Sequence, residues 1–206
     1  GLLVELTYDG QETPPALAGR YAVAATVRDS NYEAAATGVL AVSKAAATVV
    51  LGNLSQDYDG TQRHATATTI PGELAVDFTY DGAAKVPTAA GIYAVIGVVS
   101  DPNWQGEASG TLSVGKAGQT IRFPEIADPS TVDVIELEAL ASSGLAVSFA
   151  VRSGPAEISD GTRLSFTGAG SVSIVASQGG DANWNAAPDV IRTFTVSPVL
   201  ISAPWL

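Results

Sequence analysis

The residues of this chain that could take part in chemistry are few, and they form no catalytic set. The 206 residues contain no Cys, and His64 is the sole histidine. A thiol nucleophile, a zinc-thiolate site and a histidine cluster are therefore excluded. His64 has no nucleophile pattern beside it, and we interpret it as a surface residue. The sequence thus predicts no catalytic residue and no enzyme.

Aspartates at Tyr-Asp-Gly turns are the candidate metal ligands. The tripeptide occurs at 8–10, 58–60 and 80–82. Asp57, Asp59 and Asp81 could together serve a calcium ion, which takes about six to eight oxygen ligands, but no Asp-x-Asp-x-Asp loop is present. We favour a turn whose Gly adopts a left-handed conformation, with calcium as the alternative, and we predict no cofactor.

A second recurring pattern, Asp-x-Asn followed by Tyr or Trp, holds the candidate binding residues. It occurs at 29–32, 101–104 and 181–184. As a ligand loop it would expose Trp104 or Trp184, and with Trp205 these rings could form an aromatic patch for sugar or protein. As a structural element it would be an Asx-type turn whose ring folds onto a sheet. Its recurrence favours the structural interpretation.

Both patterns belong to an internal repeat. When the chain is shifted by 72 residues, residues 1–45 align with 73–117 without a gap, and 21 of the 45 positions are identical. A more distant copy follows. We predict four segments, of which we call the first three repeat 1, repeat 2 and repeat 3. They are the back half of one unit (1–45), a complete unit (46–117), a divergent complete unit (118–198), and a linker or the start of a next unit (199–206).

The elements that position these residues are predicted to be β-strands. Apolar residues alternate at period two, for example from Tyr21 to Val27, and no window has a convincing helical period. Short alternating strands between turns indicate an all-β fold of tandem immunoglobulin-like sandwiches. Tyr21 and Tyr93 occupy the place of the tyrosine that caps the E–F corner of that fold, and Val172 replaces it in repeat 3.

The connectors between the repeats are short. Lys44 and Lys116 each precede a junction, and only about three or four residues separate the units. We interpret both lysines as linker residues. The alternative, an isopeptide crosslink, would require each Lys to be buried beside an Asn and an acid. Such short joints predict a semi-rigid elongated array.

The combined motifs resemble those of a known family. Residues 1–117 carry Tyr-Asp-Gly, Ala-Gly-x-Tyr-x-Val, Asp-x-Asn-Tyr/Trp, Gly-x-Leu-x-Val and Lys-Ala in that order, and this series is similar to tandem MBG repeats. Residues 118–198 resemble a related bacterial immunoglobulin-like module. The resemblance implies an extracellular or cell-surface location in a large bacterial protein, and it brings no catalytic residues.

Charge and repetition together set the expected function. The net charge of −11 disfavours nucleic acid and anionic membranes as partners, and no apolar stretch reaches the ~20 residues of a membrane span, so we expect no direct membrane insertion. We expect spacer or stalk modules whose partners are neighbouring repeats of the same longer chain. The alternatives are an adhesin-type binding module for carbohydrate or protein, and a fibre subunit that pairs with other copies through edge strands.

Repeat 1 is expected to lack one of the two sheets of a sandwich. Residues 1–45 match the back strands of a sandwich, so that apolar residues such as Val4, Leu6 and Val23 lack a partner sheet within the segment. We expect this sheet to need strands from elsewhere in the longer chain or from another copy.

Overall fold

The structure is a computed structural model, and it describes residues 1–199. Every regular element in these residues is a β-strand, which confirms the all-β prediction. None of the described residues forms a helix that is long and apolar enough to cross a membrane. Trp205 and the predicted segment 199–206, apart from its first residue, lie outside the described residues.

Nineteen strands occur within residues 1–199. Repeats 1 and 2 contain β1 (Val4–Tyr8), β2 (Gly19–Val27), β3 (Ala35–Val42), β4 (Ala45–Ala46), β5 (Thr48–Gly52), β6 (Ser55–Asp57), β7 (Thr66–Ile70), β8 (Val76–Tyr80), β9 (Gly91–Val99), β10 (Trp104–Gln105) and β11 (Glu107–Gly115). Repeat 3 contains β12 (Ile121–Arg122), β13 (Val134–Glu136), β14 (Leu140–Ala141), β15 (Ser148–Ser153), β16 (Ala156–Ser159), β17 (Arg163–Phe166), β18 (Gly170–Ser177) and β19 (Val190–Val196).

The chain divides into two compact units. The first consists of Gly1–Gln56, Gln62–Pro87 and Ile92–Ser113. The second consists of Asp57–Thr61, Thr88–Gly91 and the chain from Val114 onward. Repeat 1 thus shares a compact unit with most of repeat 2, and repeat 3 shares one with three short stretches of repeat 2.

The back sheets of repeats 1 and 2 have the same register. Strands β1, β2 and β3 form an antiparallel sheet in that order, with Tyr8 opposite Val23. In repeat 2 the order is β6-β11-β9-β8, with Tyr80 opposite Val95. Because side chains alternate across a strand, the apolar residues of each sheet collect on one face.

In repeat 2 this apolar face is covered by a second sheet. The antiparallel pair β5-β7 brings Leu51 over the sheet, and Leu54 lies just before β6. A Cβ placed on Gly110 would be 3.2 Å from Cδ1 of both leucines. Val95 and Leu112, which face the same way, are 0% exposed. Two sheets with their side chains interleaved between them form a β-sandwich.

In repeat 1 the equivalent face has no covering sheet among residues 1–199. Gly38 is the counterpart of Gly110, and a Cβ there would meet nothing within 4 Å. Val4 and Leu6 are 51% and 46% exposed. The sheet of repeat 1 therefore has an uncovered apolar face in the described residues, and its assignment as the back half of a sandwich stays a prediction.

Repeat 3 has its own core in the second unit. Sheets β15-β18-β19 and β13-β17-β16 enclose Leu164, Val172 and Ile174, which are fully buried. The rings of Phe123 and Phe149 lie 5.3 Å apart between centroids and add aromatic contact to this core.

The predicted tyrosine corner is present in repeat 1. Tyr21 donates its hydroxyl hydrogen to the carbonyl oxygen of Leu17, four residues upstream, at 2.8 Å, which is the corner contact of immunoglobulin-like domains. In repeat 3 the same place is taken by the fully buried Val172, which has no hydroxyl and packs into the core instead.

Candidate functional site

The Tyr-Asp-Gly sequences form turns that use their carboxylates structurally. Asp9 and Gly10 have φ values of 48° and 81°, and Asp81 and Gly82 have 49° and 80°, so each pair makes a two-residue hairpin turn of the primed kind. Asp9 Oδ1 accepts from the Ala22 N–H at 2.7 Å, and Asp81 Oδ1 accepts from its counterpart, the Ala94 N–H, at 2.8 Å. The left-handed glycine that we predicted is found in both turns.

The calcium hypothesis gains no further support from this arrangement. Asp81 belongs to the first compact unit, whereas Asp57 and Asp59 belong to the second. Asp59 Oδ1 accepts from the backbone and hydroxyl of Thr61 at 2.8 and 2.6 Å. Among residues 1–199, no group of three or more His, Asp or Glu side chains is placed to hold a metal ion. Calcium binding stays a prediction.

In the first compact unit, the Asp-x-Asn-Trp segment of repeat 2 forms the contact between repeats 1 and 2. Asp101 Oδ1 accepts from the N–H groups of Asn103 and Trp104 at 2.7 and 3.0 Å, which is the predicted Asx-type turn. Asn103 Oδ1 then accepts from the Ala18 N–H of repeat 1 at 2.9 Å. The turn is therefore structural, and it also reaches a different repeat.

Two further hydrogen bonds complete this contact. Lys44 Nζ donates to the Asp101 carbonyl oxygen at 2.7 Å, and the Ala45 N–H donates to the Asn103 carbonyl oxygen at 2.8 Å. Strand β4, which contains Ala45, pairs in parallel with β10. The connector between repeats 1 and 2 is thus part of a small sheet.

The same three bonds recur in the second compact unit. Asn183 Oδ1 accepts from the Ala90 N–H at 2.9 Å, and Lys116 Nζ donates to the Asp181 carbonyl oxygen at 2.6 Å. The Ala117 N–H donates to the Asn183 carbonyl oxygen at 2.9 Å. Although repeat 3 is divergent in sequence, it keeps this contact.

We call the segments 29–32, 101–104 and 181–184 the junction loops, and Ala18-Gly19 and Ala90-Gly91 the corners. A junction loop offers three acceptors, namely the Asn side-chain oxygen and the carbonyl oxygens of the Asp and Asn. A corner and the Lys-Ala pair that ends its repeat offer three donors. The match is between backbone groups and two side chains, Asn and Lys, so it depends little on the rest of the sequence.

Sequence reasoning found the junction loops but missed the role of the lysines and the long-range role of the asparagines. The sequence predicts that Lys44 and Lys116 are linker residues, and the structure adds that each donates a hydrogen bond to the next repeat. A usable signal was present, because Lys-Ala at the end of one repeat is followed by Asp-x-Asn in the next in both cases. The spacing of the two motifs does not by itself indicate that they are in contact, and only the fold shows that they are.

The candidate ligand aromatics lie within these junctions. Trp104 and Trp184 are half-buried, and the Trp184 ring stands edge-on to Tyr58, with 5.6 Å between centroids and 83° between planes. Ligand binding by either ring stays a prediction.

The acidic residues that line a cavity are also engaged in structural bonds. A cavity of about 340 Å³ in repeat 3 is lined by Glu125, Glu136 and Glu138, among others. Glu125 pairs with Arg192 at 3.1 Å, and Glu136 accepts a short hydrogen bond from the hydroxyl of Thr162. Two of the three carboxylates are therefore bonded to other elements of repeat 3.

Facing β-sheets with a tyrosine corner define an immunoglobulin-like module, here repeated along one chain. The family model described as the MBG domain matches residues 1–46 and 47–118, which together make up more than half of the 206 residues. The chain belongs to the MBG domain family. No curated protein sequence is significantly similar to this chain.

Several solved structures are similar at low identity. Immunoglobulin domains 1–5 of Sidekick-1 are 15% identical, with a TM-score of 0.31 over 96% of this chain and 52% of that one. The endo-fucoidan hydrolase MfFcnA4 is 14% identical, with a TM-score of 0.28 over 97% and 39%. The SusE-like surface protein BT4661 of Bacteroides thetaiotaomicron is 10% identical, with a TM-score of 0.29 over 94% and 55%.

These three structures are much longer than this chain. It spans about half of the Sidekick-1 and BT4661 structures and 39% of the hydrolase. At such identities and TM-scores, the activities of those proteins indicate nothing about this one.

Proposed function

We propose that this chain is a stretch of non-catalytic spacer modules from a bacterial cell-surface or secreted protein. The observation that carries the proposal is the repeated junction, in which a junction loop forms the same three hydrogen bonds with a corner and a Lys-Ala end in both compact units. A spacer must keep its direction from one module to the next. A connector that is itself paired as a strand serves that need better than a flexible linker does.

Family membership and charge support the proposed location. MBG repeats, which the sequence resembles and to whose family the chain belongs, are expected in large extracellular bacterial proteins. The net charge of −11 keeps neighbouring copies apart and disfavours nucleic acid. The partners in this proposal are neighbouring repeats of the same longer chain.

The adhesin alternative relies on Trp104 and Trp184 as ligand contacts. Both rings are half-buried and belong to junction loops, so a ligand would have to compete with contacts that the protein already makes. This placement favours a spacer over a binding module.

The direct test measures how rigid the junction between repeats 1 and 2 is. The chain has no Cys, so the exposed and equivalent positions Thr37 and Ser109 can be changed to Cys and spin-labelled without background. We expect one narrow distribution of distances between the labels. Removal of the donor and acceptor by Lys44→Ala with Asn103→Ala should broaden it, while the control Ser30→Ala should leave it unchanged.

A wild-type distribution as broad as that of the double variant would overturn the spacer proposal, because the junction would then be a flexible tether. Separate glycan-array binding that is lost on Trp104→Ala or Trp184→Ala would favour the adhesin alternative.

A further inference from the structure

The junction loop of repeat 1 shares internal hydrogen bonds with the engaged loops. The Asn31 N–H donates to Asp29 Oδ1 at 2.8 Å, as Asn103 does to Asp101 at 2.7 Å. The Val27 N–H closes this loop on the Ala34 carbonyl oxygen at 2.9 Å. In repeat 2 the equivalent bond joins Val99 to Gly106 at 2.8 Å. These two hydrogen bonds preform part of the loop before any partner is present.

The surface of this loop differs from that of the engaged copies. Tyr32 is 64% exposed, whereas Trp104 and Trp184 at the same place are half-buried. Asp29 and Asn31 are exposed, whereas their counterparts in repeat 2 are half-buried. An exposed ring beside a preformed set of acceptors is the expected appearance of a docking surface without its partner.

The two engaged loops define the chemistry of that partner. It must present a backbone N–H at an Ala-Gly corner for Asn31 Oδ1. It must also present a Lys Nζ for the Asp29 carbonyl oxygen and a following N–H for the Asn31 carbonyl oxygen. The positive charge of the Lys also complements the carboxylates of Asp29 and Glu33.

This chain does not itself contain a vacant set of those donors among its described residues. The donors of Ala18 and Lys44 are bound to the junction loop of repeat 2. Those of Ala90 and Lys116 are bound in the same way to the junction loop of repeat 3. At the end of repeat 3, strand β19 ends at Val196, which is equivalent to Val114, and Pro198 stands two residues later, where the lysine would be. Proline offers no charged donor for the Asp carbonyl oxygen of a junction loop.

We propose that the Asp29–Tyr32 loop is a docking site for a further MBG repeat, outside the 206 residues of this chain, whose Ala-Gly corner and Lys-Ala end are unoccupied. The inference rests on the junction geometry and does not depend on the spacer function, since a binding protein built of such repeats would need the same contact. A single junction makes few bonds, so it acts on a repeat that is covalently joined and thus present at high effective concentration.

The test joins such a repeat to the complete chain in register. Residues 46–117 supply the corner and the Lys-Ala end, and a second copy of residues 46–72 supplies the strands that precede the position equivalent to Gly1. The whole chain follows. The added residues 46–117 are labelled with ¹⁵N by segmental ligation, so that the exchange rate of the added corner alanine, the copy of Ala90, is measured by itself.

We expect the added corner N–H to exchange about tenfold faster in Asn31→Ala than in the unchanged fusion, because its acceptor is lost. Asn31→Asp keeps a side-chain oxygen and should restore protection, and Thr37→Ala, at an exposed position of β3 outside the loop, should have no effect. In the unfused chain, Asn103→Ala should accelerate exchange of the Ala18 N–H by a similar factor and serves as the positive control.

Three outcomes would overturn the proposal. The first is a corner N–H that exchanges equally fast with and without the Asn31 oxygen. The second is a fusion that does not fold, since a compatible repeat placed in register must pack against the chain. The third is a dimer of the unfused chain that dissociates on Asn31→Ala, because the occupant of the loop would then be a second copy.

Discussion

The back sheets of repeats 1 and 2 carry nearly the same residues on the same face, and their surroundings differ. Val23 and Val95 are equivalent, as are Leu40 and Leu112. Val95 and Leu112 are 0% exposed, whereas Val23 and Leu40 are only half-buried. The difference comes from the β5-β7 pair, which covers the sheet of repeat 2 and has no counterpart over repeat 1 in the described residues.

The alternation of apolar residues along a strand specifies which face of the sheet is apolar, but it does not specify whether a second sheet packs against that face. The same alternation produces a core where a second sheet supplies atoms to pack against, and an exposed patch where none does. Variants at matched positions of the two sheets therefore test the difference directly.

The largest expected contrast is between the two segments expressed alone. Residues 46–117 contain both sheets of a sandwich and should fold, whereas residues 1–45 contain one sheet with an uncovered apolar face and should be unfolded or aggregated. Circular dichroism and amide NMR spectra of the two peptides check this. A sharp monomeric thermal transition of 1–45, or random coil for 46–117, would contradict the contrast.

The next contrast compares equivalent leucines within the intact chain. Leu112→Ala should lower the free energy of unfolding of repeat 2 by about 2–5 kcal/mol, because it leaves a cavity between two sheets. Leu40→Ala should cost about 1 kcal/mol or less, since water already reaches that side chain. Urea denaturation followed by the amide signals of each repeat measures both. Equal costs would mean that the sheet of repeat 1 is covered in solution.

A smaller contrast, with opposite signs, is expected at equivalent glycines. Gly110→Val should cost about 1–3 kcal/mol, because its side chain would overlap Leu51 and Leu54. Gly38→Val should gain up to about 1 kcal/mol, because a β-branched residue suits a strand and the space above it is open. The same denaturation experiment applies. Destabilisation by Gly38→Val would indicate that another chain occupies that space.

The smallest effect is expected at an ion pair of repeat 1 that the equivalent residues of repeat 2 cannot form. Arg28 Nε lies 2.7 Å from Glu5 Oε2, and Asp77 and Ser100 are the equivalents in repeat 2. The hydrogen bond and charge of Glu5 raise the pKa of Arg28. Because both side chains are exposed, Arg28→Ala should lower the unfolding midpoint of repeat 1 only slightly, and the difference should vanish in about 1 M NaCl. A difference that persists in high salt would show that packing of the Arg28 stem matters more than its charge.

Much of the fold was predictable because its causes are local. The hairpin turns at Asp9-Gly10 and Asp81-Gly82 follow from the freedom of Gly at positive φ, and the strands follow from period-two alternation. The corner hydrogen bond of Tyr21 was predictable from its place near the start of strand β2. The junction loops were recognised as Asx turns for the same reason, since Asp101 bonds to residues two and three positions away.

Only part of the candidate site was predictable. The turn within each junction loop is local, whereas the hydrogen bonds between repeats join residues that are far apart in sequence. Asn103 Oδ1 and the Ala18 N–H are separated by 85 positions, and Asn183 Oδ1 and the Ala90 N–H by 93. No local rule connects such residues. The sequence indicated that the asparagines recur, and it did not indicate which group each one would bind.

The amino-acid sequence by itself determined the all-β class, the repeat of 72 residues, the turns and the apolar face of each sheet, because these depend on the chemistry of neighbouring residues. Only the tertiary structure decided which face is covered and which junction loop is engaged. Those outcomes depend on which strands and corners are brought into contact in space. Identical residues therefore form a buried core at Leu112 and a half-buried surface at Leu40, and a closed junction at Asn103 and an open one at Asn31.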